Sequence, residues 1–408
     1  MGKPSVSRSA FRSLFAVRGA EAIPRRHRAV TESDEGNLSA ATTKTEVVKV
    51  NPLAPTINWS PATPAAGLEG AEAVMRFALI DALRGIAALS VLFFHAFAGG
   101  HTPLLHDRLP NLVQWPLNHG NLGVSVFFVL SGFVISHSLL SVDLTRGMAA
   151  RFMLRRSLRL DPSYWFAIAV GCVAVLIKGE PPFTAMQIGA HLLYAQDLLD
   201  MPAIATVFWT LCLEMQFYVV FALLLLCKSR NTLIAAFVLS IPLSQFAIWN
   251  GLFTTQWYGF LLGVVTYVSW KDRSRFGWFL AYAGCLAVLA FTGHDLFMSA
   301  CVGTACFILL LGHCGKLETY GNWGALQFLG MISYSLYLIH DRVVGATFRI
   351  APRFPGNGLG KEIASYGAAL ILSIMVAFAM WFAIERPSMR LARMLPLTAR
   401  GSTIIANA

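Results

Sequence analysis

Arg84 and His95 stand eleven residues apart in one apolar run, Ala82-Leu83-Arg84-Gly85-Ile86-Ala87-Ala88-Leu89-Ser90-Val91-Leu92-Phe93-Phe94-His95. On a helix, eleven residues make about three turns, or about 16 Å, and return to within about 20° of the starting face. A fixed cation and a titratable base would then look along one line. Guanidinium binds anionic groups and does not deprotonate, whereas imidazole exchanges its proton near neutral pH. Two other ionisable residues sit among apolar neighbours: Glu214 in Leu211-Cys212-Leu213-Glu214-Met215, and His340 at the end of Leu336-Tyr337-Leu338-Ile339-His340. Arg151, Arg155, Arg156 and Arg159 cluster just before Pro162. Ionisable residues in apolar spans are costly and mark a pathway or a site.

The elements that must position these residues follow from composition. Of 408 residues, 56% are hydrophobic and 13% are charged, against about 25% charged in soluble domains. Mean hydropathy is +0.59. Apolar runs of membrane-spanning length succeed one another from about residue 79, which excludes a soluble protein with one core. The sequence predicts an all-α integral membrane protein with ten spans, at 79–98, 121–141, 162–178, 207–227, 232–249, 257–270, 278–293, 296–314, 325–341 and 363–385. Residues 185–200 mix apolar residues with His191, Gln196, Asp197 and Asp200, and predict a helix lying at the surface.

The net charge of +11 does not point to nucleic acid, because the basic residues lie between spans. With the N-terminus inside, the inner loops and C-terminal tail hold fifteen Lys and Arg and the outer loops hold six. That bias predicts a multi-pass membrane protein with both termini in the cytoplasm. It also sets depths. His95, Glu214 and His340 are expected towards the outer side; Arg84, the Arg151–Arg159 cluster and Arg386 towards the inner. Residues 1–76 are basic, rich in Ser, Ala and Pro, and lack the apolar core of a signal peptide, so a disordered cytoplasmic tail is expected. Seven cysteines form no C-x-x-C pair, so neither a metal site nor a disulfide framework is predicted.

Five stretches in order carry a resemblance. They are Arg84 to His95, Gly123-Val124-Ser125-Val126-Phe127-Phe128-Val129-Leu130-Ser131-Gly132-Phe133-Val134-Ile135, Arg156-Ser157-Leu158-Arg159-Leu160-Asp161-Pro162-Ser163-Tyr164-Trp165, Trp209 to Tyr218 with Glu214, and Gly330-Met331-Ile332-Ser333-Tyr334-Ser335-Leu336-Tyr337-Leu338-Ile339-His340. Over residues 77–388 the chain resembles the acyltransferase 3 family of membrane-bound O-acyltransferases. The tail 1–76 lies outside the resemblance, and 389–408 is expected to be a short cytoplasmic tail. Asp161 stands where relatives often have an aromatic or aliphatic residue.

The resemblance implies transfer of an acyl group, usually acetyl, from cytoplasmic acyl-CoA to a sugar hydroxyl of an envelope or exported glycan. No tightly bound cofactor is expected; acetyl-CoA or another acyl-CoA is the donor substrate, and a glycan or lipid-linked sugar is the acceptor. His95 would be the general base, with Glu214 holding its tautomer or balancing its charge. Arg84, Arg156, Arg159, Ser131 and Gly132 would serve the CoA side, and His340, Tyr337, Tyr334 and Trp209 the acceptor side. Two other readings make different predictions. A transporter or flippase of a glycan or acylated metabolite would line a whole pathway with polar residues. A membrane scaffold would depend on residues 1–75 and be indifferent to His95.

Overall fold

The computed structural model describes residues 77–140, 144–245 and 251–395. The expected tail 1–76 lies outside the described residues, as does most of the expected tail 389–408. Among the described residues the protein is helical throughout, with no strand. In chain order the helices are α1 (Ala78–Ala98), α2 (Pro103–Arg108), α3 (Asn111–Asn118), α4 (Gly123–Leu139), α5 (Arg146–Lys178), α6 (Ala185–Leu192), α7 (Trp209–Leu226) and α8 (Arg230–Gln245). They continue with α9 (Trp257–Lys271), α10 (Phe276–Gly293), α11 (Leu296–His313), α12 (Gly324–Ile350), α13 (Gly358–Met380) and α14 (Arg386–Arg393). A π-helical turn, Trp381–Glu385, joins the last two.

Each of the ten expected spans coincides with a helix. Among the described residues, seven segments are long and apolar enough to cross a membrane: α1, Gly120–Leu139, α5, Thr206–Leu226, Arg273–Gly293, α11 and Gly358–Arg393. The protein is therefore an all-α, multi-pass membrane protein. The other three helices fall short for identifiable reasons. The described part of α8 has only 16 residues. The α9 helix has only 15 residues, and the run Trp257–Tyr267 is buried on every side, so it is shielded by protein rather than by lipid. The α12 helix carries His340, Asp341 and Arg342 in mid-course. Elsewhere, large apolar side chains face outward, among them Ile177 and Phe291, each 81% exposed. On a soluble protein such a surface would aggregate; here it suits lipid tails.

Two glycine contacts set the frame. A Cβ on Gly85 would stand 2.7 Å from the Gly330 nitrogen, and one on Gly330 would collide with the Asp81 carbonyl. Small residues let α1 and α12 approach backbone to backbone. Ten residues further along each helix come His95 and His340, about 15 Å beyond the contact. Their rings meet at 5.0 Å between centroids, so the two helices run parallel from the glycines to the histidines. The second contact joins α4 and α9, where a Cβ on Gly132 would strike the Phe260 carbonyl and one on Gly263 the Val129 carbonyl. Phe260 stacks on Phe128 and Phe217, with centroids at 4.4 and 4.5 Å. Gly132→Val is expected to cost about 1–3 kcal/mol through this overpacking. Thermal melting of the detergent-solubilised protein should show a lowered midpoint.

The segment after α5 departs from expectation. Residues 185–200 are only partly helical, and two of their polar residues are inside, His191 at 0% and Gln196 at 1% exposed, while Asp197 is half-buried and Asp200 exposed. Burial is possible because both ring nitrogens of His191 are paired. Nδ1–H donates to the Gln187 carbonyl at 2.8 Å, and Nε2 accepts from the Ile204 amide at 3.0 Å. Burial also holds this imidazole below its ordinary pKa, in keeping with a neutral ring that both donates and accepts. Alternation of polar and apolar residues read as a surface; the hydrogen bonds that cancel the cost of burial were not visible in it.

Candidate active site

One cavity, of about 60 Å³, opens between α1, α4, α5, α7 and α12. Arg84 enters it from α1, Ser131 from α4, Arg156 and Arg159 from α5, Thr210, Glu214 and Tyr218 from α7, and Ser333, Tyr334 and Tyr337 from α12. The arginine cluster was read as an inter-span loop. It is instead the first half of one continuous helix, α5, which passes through Pro162. Its start is capped by Thr145, whose hydroxyl accepts from the Met148 amide. Helical geometry puts Arg156 and Arg159, three residues apart, on one face.

The arginines are held rather than neutralised. Arg156 lies over the rings of Tyr218 and Phe152, at 5.1 and 5.4 Å, as cation–π contacts. Arg84 and Arg156 repel Arg159, and Glu385 and Tyr218 partly offset that repulsion. The Nε of Arg84 is buried without a hydrogen-bond partner. Glu214 lies at this same end, where its carboxylate accepts from the Ser131 and Tyr218 hydroxyls. Three guanidinium groups facing one enclosed space make a site for an anion, phosphate above all.

The cavity lining stops at Tyr337, whose hydroxyl is 2.8 Å from the Thr210 hydroxyl and 3.3 Å from the Val207 carbonyl. Tyr334 is likewise tied, to the Leu160 carbonyl at 3.0 Å. The Tyr337 ring lies 5.9 Å from that of His340, which in turn faces His95. His340 is fully buried. Its Nδ1–H donates to the Leu336 carbonyl at 3.0 Å, so Nε2 carries the lone pair, and that atom has no partner. A buried acceptor left unpaired costs about 1–3 kcal/mol. The histidine pair is thus built to receive a hydrogen-bond donor.

Comparison with known proteins fits this arrangement. Residues 77–382 match the acyltransferase domain that defines the acyltransferase 3 family. The chain belongs to that family. It is 26% identical over 79% of its length to a Komagataeibacter xylinus protein named as a membrane-bound transacylase, BcsY, 85% of which is covered. It is 27% identical over 78% of its length to the acyltransferase MdmB of Streptomyces mycarofaciens, and 27% over 69% to the exopolysaccharide production protein ExoZ of Rhizobium meliloti, with 93% of each relative covered. No solved structure matches the chain. The protein is a membrane acyltransferase.

In this acyltransferase, the residues singled out from sequence fall into three groups. Arg84, Arg156, Arg159, Ser131, Glu214, Tyr334 and Tyr337 share the cavity. His95 and His340 pair beyond Tyr337. Gly132 and Trp209 do not line the cavity: Gly132 is filled by the α9 backbone, and Trp209 packs edge-on against Phe128 at 6.2 Å. Glu214 was expected at the depth of His95. It lies instead with the arginines, and the group facing the His95 ring is His340. The first turn of α7 follows Ile204, Ala205, Val207 and Phe208, all buried, so the helix begins inside the protein.

Four residues were missed. Tyr218 is four residues after Glu214, hence on the same face. Ser333, which lines the cavity, and Ser335, which donates to Glu385, both lie in the Gly330–His340 stretch. Glu385, at the end of the last apolar run, is 3% exposed and accepts from the Ser335 hydroxyl at 2.6 Å; an acid in that position was the available signal. Asp161, the departure from the usual residue, accepts from the Tyr194 hydroxyl at 2.9 Å and from Ser157, anchoring the buried segment to α5. Among the described residues no group of three His, Cys, Asp or Glu side chains is placed to hold a metal.

Proposed function

We propose that this acyltransferase moves an acyl group, most simply acetyl, from cytoplasmic acyl-CoA to a sugar hydroxyl of an envelope or exported glycan, at the cell's inner membrane. The observation that carries the reading is the joining of an arginine-lined cavity to a histidine pair, His340 buried and His95 half-buried, along one pair of parallel helices, α1 and α12. CoA is a polyanion, and Arg84, Arg156 and Arg159 are suited to its phosphates. The extended pantetheine arm carries the thioester away from those phosphates towards the other end of α1.

The chemistry is then a balanced acyl transfer. The hydroxyl oxygen attacks the thioester carbonyl carbon, its proton passes to His95, the carbon–sulfur bond breaks, and CoA leaves as a thiolate that takes the proton back from His95. His340, with Nδ1–H committed to Leu336, offers only a lone pair from Nε2. That acceptor has no partner in the structure, so it is open to the incoming hydroxyl, which it would hold beside His95. Glu214, Ser131 and Tyr218 brace the donor side. Both termini are taken as cytoplasmic, with residues 1–76 and 389–408 as tails. The relatives' names, one for exopolysaccharide production and others for acyl transfer, support a glycan acceptor.

The test is mass analysis of envelope and exported glycans from cells with and without the gene. The reading expects a sugar that is heavier by one acyl group only when the protein is present. Identical glycan masses, with the protein shown to be in the membrane, would count against it.

A further inference from the structure

The cavity is built in levels one helical turn apart. Among its lining residues, Val124, Phe127, Ser131 and Val134 recur along α4 at steps of three and four, and Thr210, Glu214 and Tyr218 recur along α7 at steps of four. Each helix therefore turns one face to the cavity. Contacts across the space put these turns in register. Ser131 donates to Glu214. One turn away from each, Phe127 meets the Tyr337 ring edge-on at 5.5 Å between centroids, and the Thr210 hydroxyl stands 2.8 Å from the Tyr337 hydroxyl. Phe127, Thr210 and Tyr337 thus form one level, about 6 Å from the level of Ser131 and Glu214. The arginines lie on the far side of that second level, where Arg156 covers Tyr218 at 5.1 Å. On the near side stands His340, with its ring 5.9 Å from that of Tyr337.

The two rings of this level are held differently. Tyr337 is buried, and its hydroxyl is tied both to Thr210 and, at 3.3 Å, to the Val207 carbonyl. Phe127 is half-buried and has only apolar atoms to offer. One wall is therefore fixed, and the size of the other sets the width between them. Resting on the donor reading above, we propose that Phe127 and Tyr337 form a collar that selects the acyl group by length, favouring acetyl and discriminating against each further methylene. With the phosphates at the arginines, the acyl group is the leading end of the donor. Its carbonyl has to reach a hydroxyl held at the histidines, so its tail has to lie at the collar or just past it. Past the collar the space is closed by His340, which is fully buried. A longer chain would have to press against Phe127. Phe127 is thus a specificity-determining residue that takes no part in proton transfer.

The test uses membrane vesicles, inner face outward, from cells that make the full-length chain, so that the cells' own glycan is the acceptor. Acetyl-, propionyl-, butyryl- and hexanoyl-CoA are supplied in turn, and release of free CoA thiol is followed above the background of His95→Ala vesicles. Wild type should prefer acetyl-CoA, with the rate falling about 10-fold or more by butyryl-CoA. Phe127→Ala opens the collar, and its butyryl-to-acetyl rate ratio should rise about 10-fold or more. Phe127→Trp narrows it, and its propionyl-to-acetyl ratio should fall below that of wild type. A merely structural role for Phe127 would lower all four rates together and leave the ratios unmoved. Unchanged ratios in both variants, or a wild type that uses hexanoyl-CoA as fast as acetyl-CoA, would overturn the collar. If Phe127→Ala does not reach the membrane, Phe127→Leu carries the same expectation, and an unchanged ratio there refutes it equally. No CoA released by wild type from any of the four donors would sink the donor reading and the collar with it, a result distinct from the others.

Discussion

His95→Ala is expected to lower acyl transfer by about 10²–10⁴-fold, the contribution of a general base, while leaving binding of acyl-CoA close to wild type. The separation follows from geometry. His95 is not among the cavity-lining residues, and its ring faces His340 across 5.0 Å. Loss of the imidazole removes the proton acceptor and leaves the three guanidinium groups in place. His340 supplies a finer test of the same pair. Its Nδ1–H is committed to the Leu336 carbonyl and its Nε2 is an unpaired, buried acceptor. His340→Gln offers a carbonyl oxygen that can still accept and should retain part of the rate. His340→Ala leaves nothing to hold the hydroxyl beside His95 and should approach the His95→Ala rate. The two losses should not add, since both residues act on one proton. Initial rates of acyl transfer by purified protein, at saturating donor, read all three variants.

Arg159→Ala is expected to raise the donor KM by about 10–100-fold, the loss of one or two charge-assisted hydrogen bonds of about 1.5–3 kcal/mol, with a much smaller change in kcat. Arg159 is at the centre of the donor end, with Arg84 and Arg156 on one side of its electrostatic balance and Glu385 and Tyr218 on the other. Arg159→Lys should recover only part of the loss, because an ammonium keeps the charge but not the planar fork that grips phosphate. The variant has a second consequence. With Arg159 gone, Glu385 keeps only Arg84 to face, so the protein should also melt earlier. Binding of CoA with increasing salt distinguishes the two effects, since the phosphate contacts are screened and the fold far less so.

Much of this was legible because membrane helices advertise themselves. Ten apolar runs became ten helices, and the Arg84–His95 spacing did place a cation and a base at opposite ends of one helix. Direction along the helix was legible as well: the two glycines, Gly85 and Gly330, each stand ten residues before a histidine. What sequence did not disclose was which side chains meet across helices. Glu214 was paired with His95 on shared depth, yet depth fixes one coordinate of three; the hydroxyls of Ser131 and Tyr218 captured it at the arginine end. Pro162 and the Arg151–Arg159 charges read as a loop, since proline and charge both argue against a helix. Packing overrode both in α5. The inward turn of Glu385 depends on a π turn, a change of helical period that no regular pattern predicts.

The central claim is that donor binding and proton transfer belong to opposite ends of α1. The most direct measurement is acetyl-CoA binding and acetyl transfer by the same preparations of wild type, His95→Ala and Arg159→Ala. The account predicts that His95→Ala binds acetyl-CoA with wild-type affinity and transfers acetyl about 10²–10⁴-fold more slowly, whereas Arg159→Ala binds it about 10–100-fold more weakly and still transfers at high donor concentration. If His95→Ala loses donor binding, or transfers acetyl at the wild-type rate, the two ends do not have the separate tasks assigned to them.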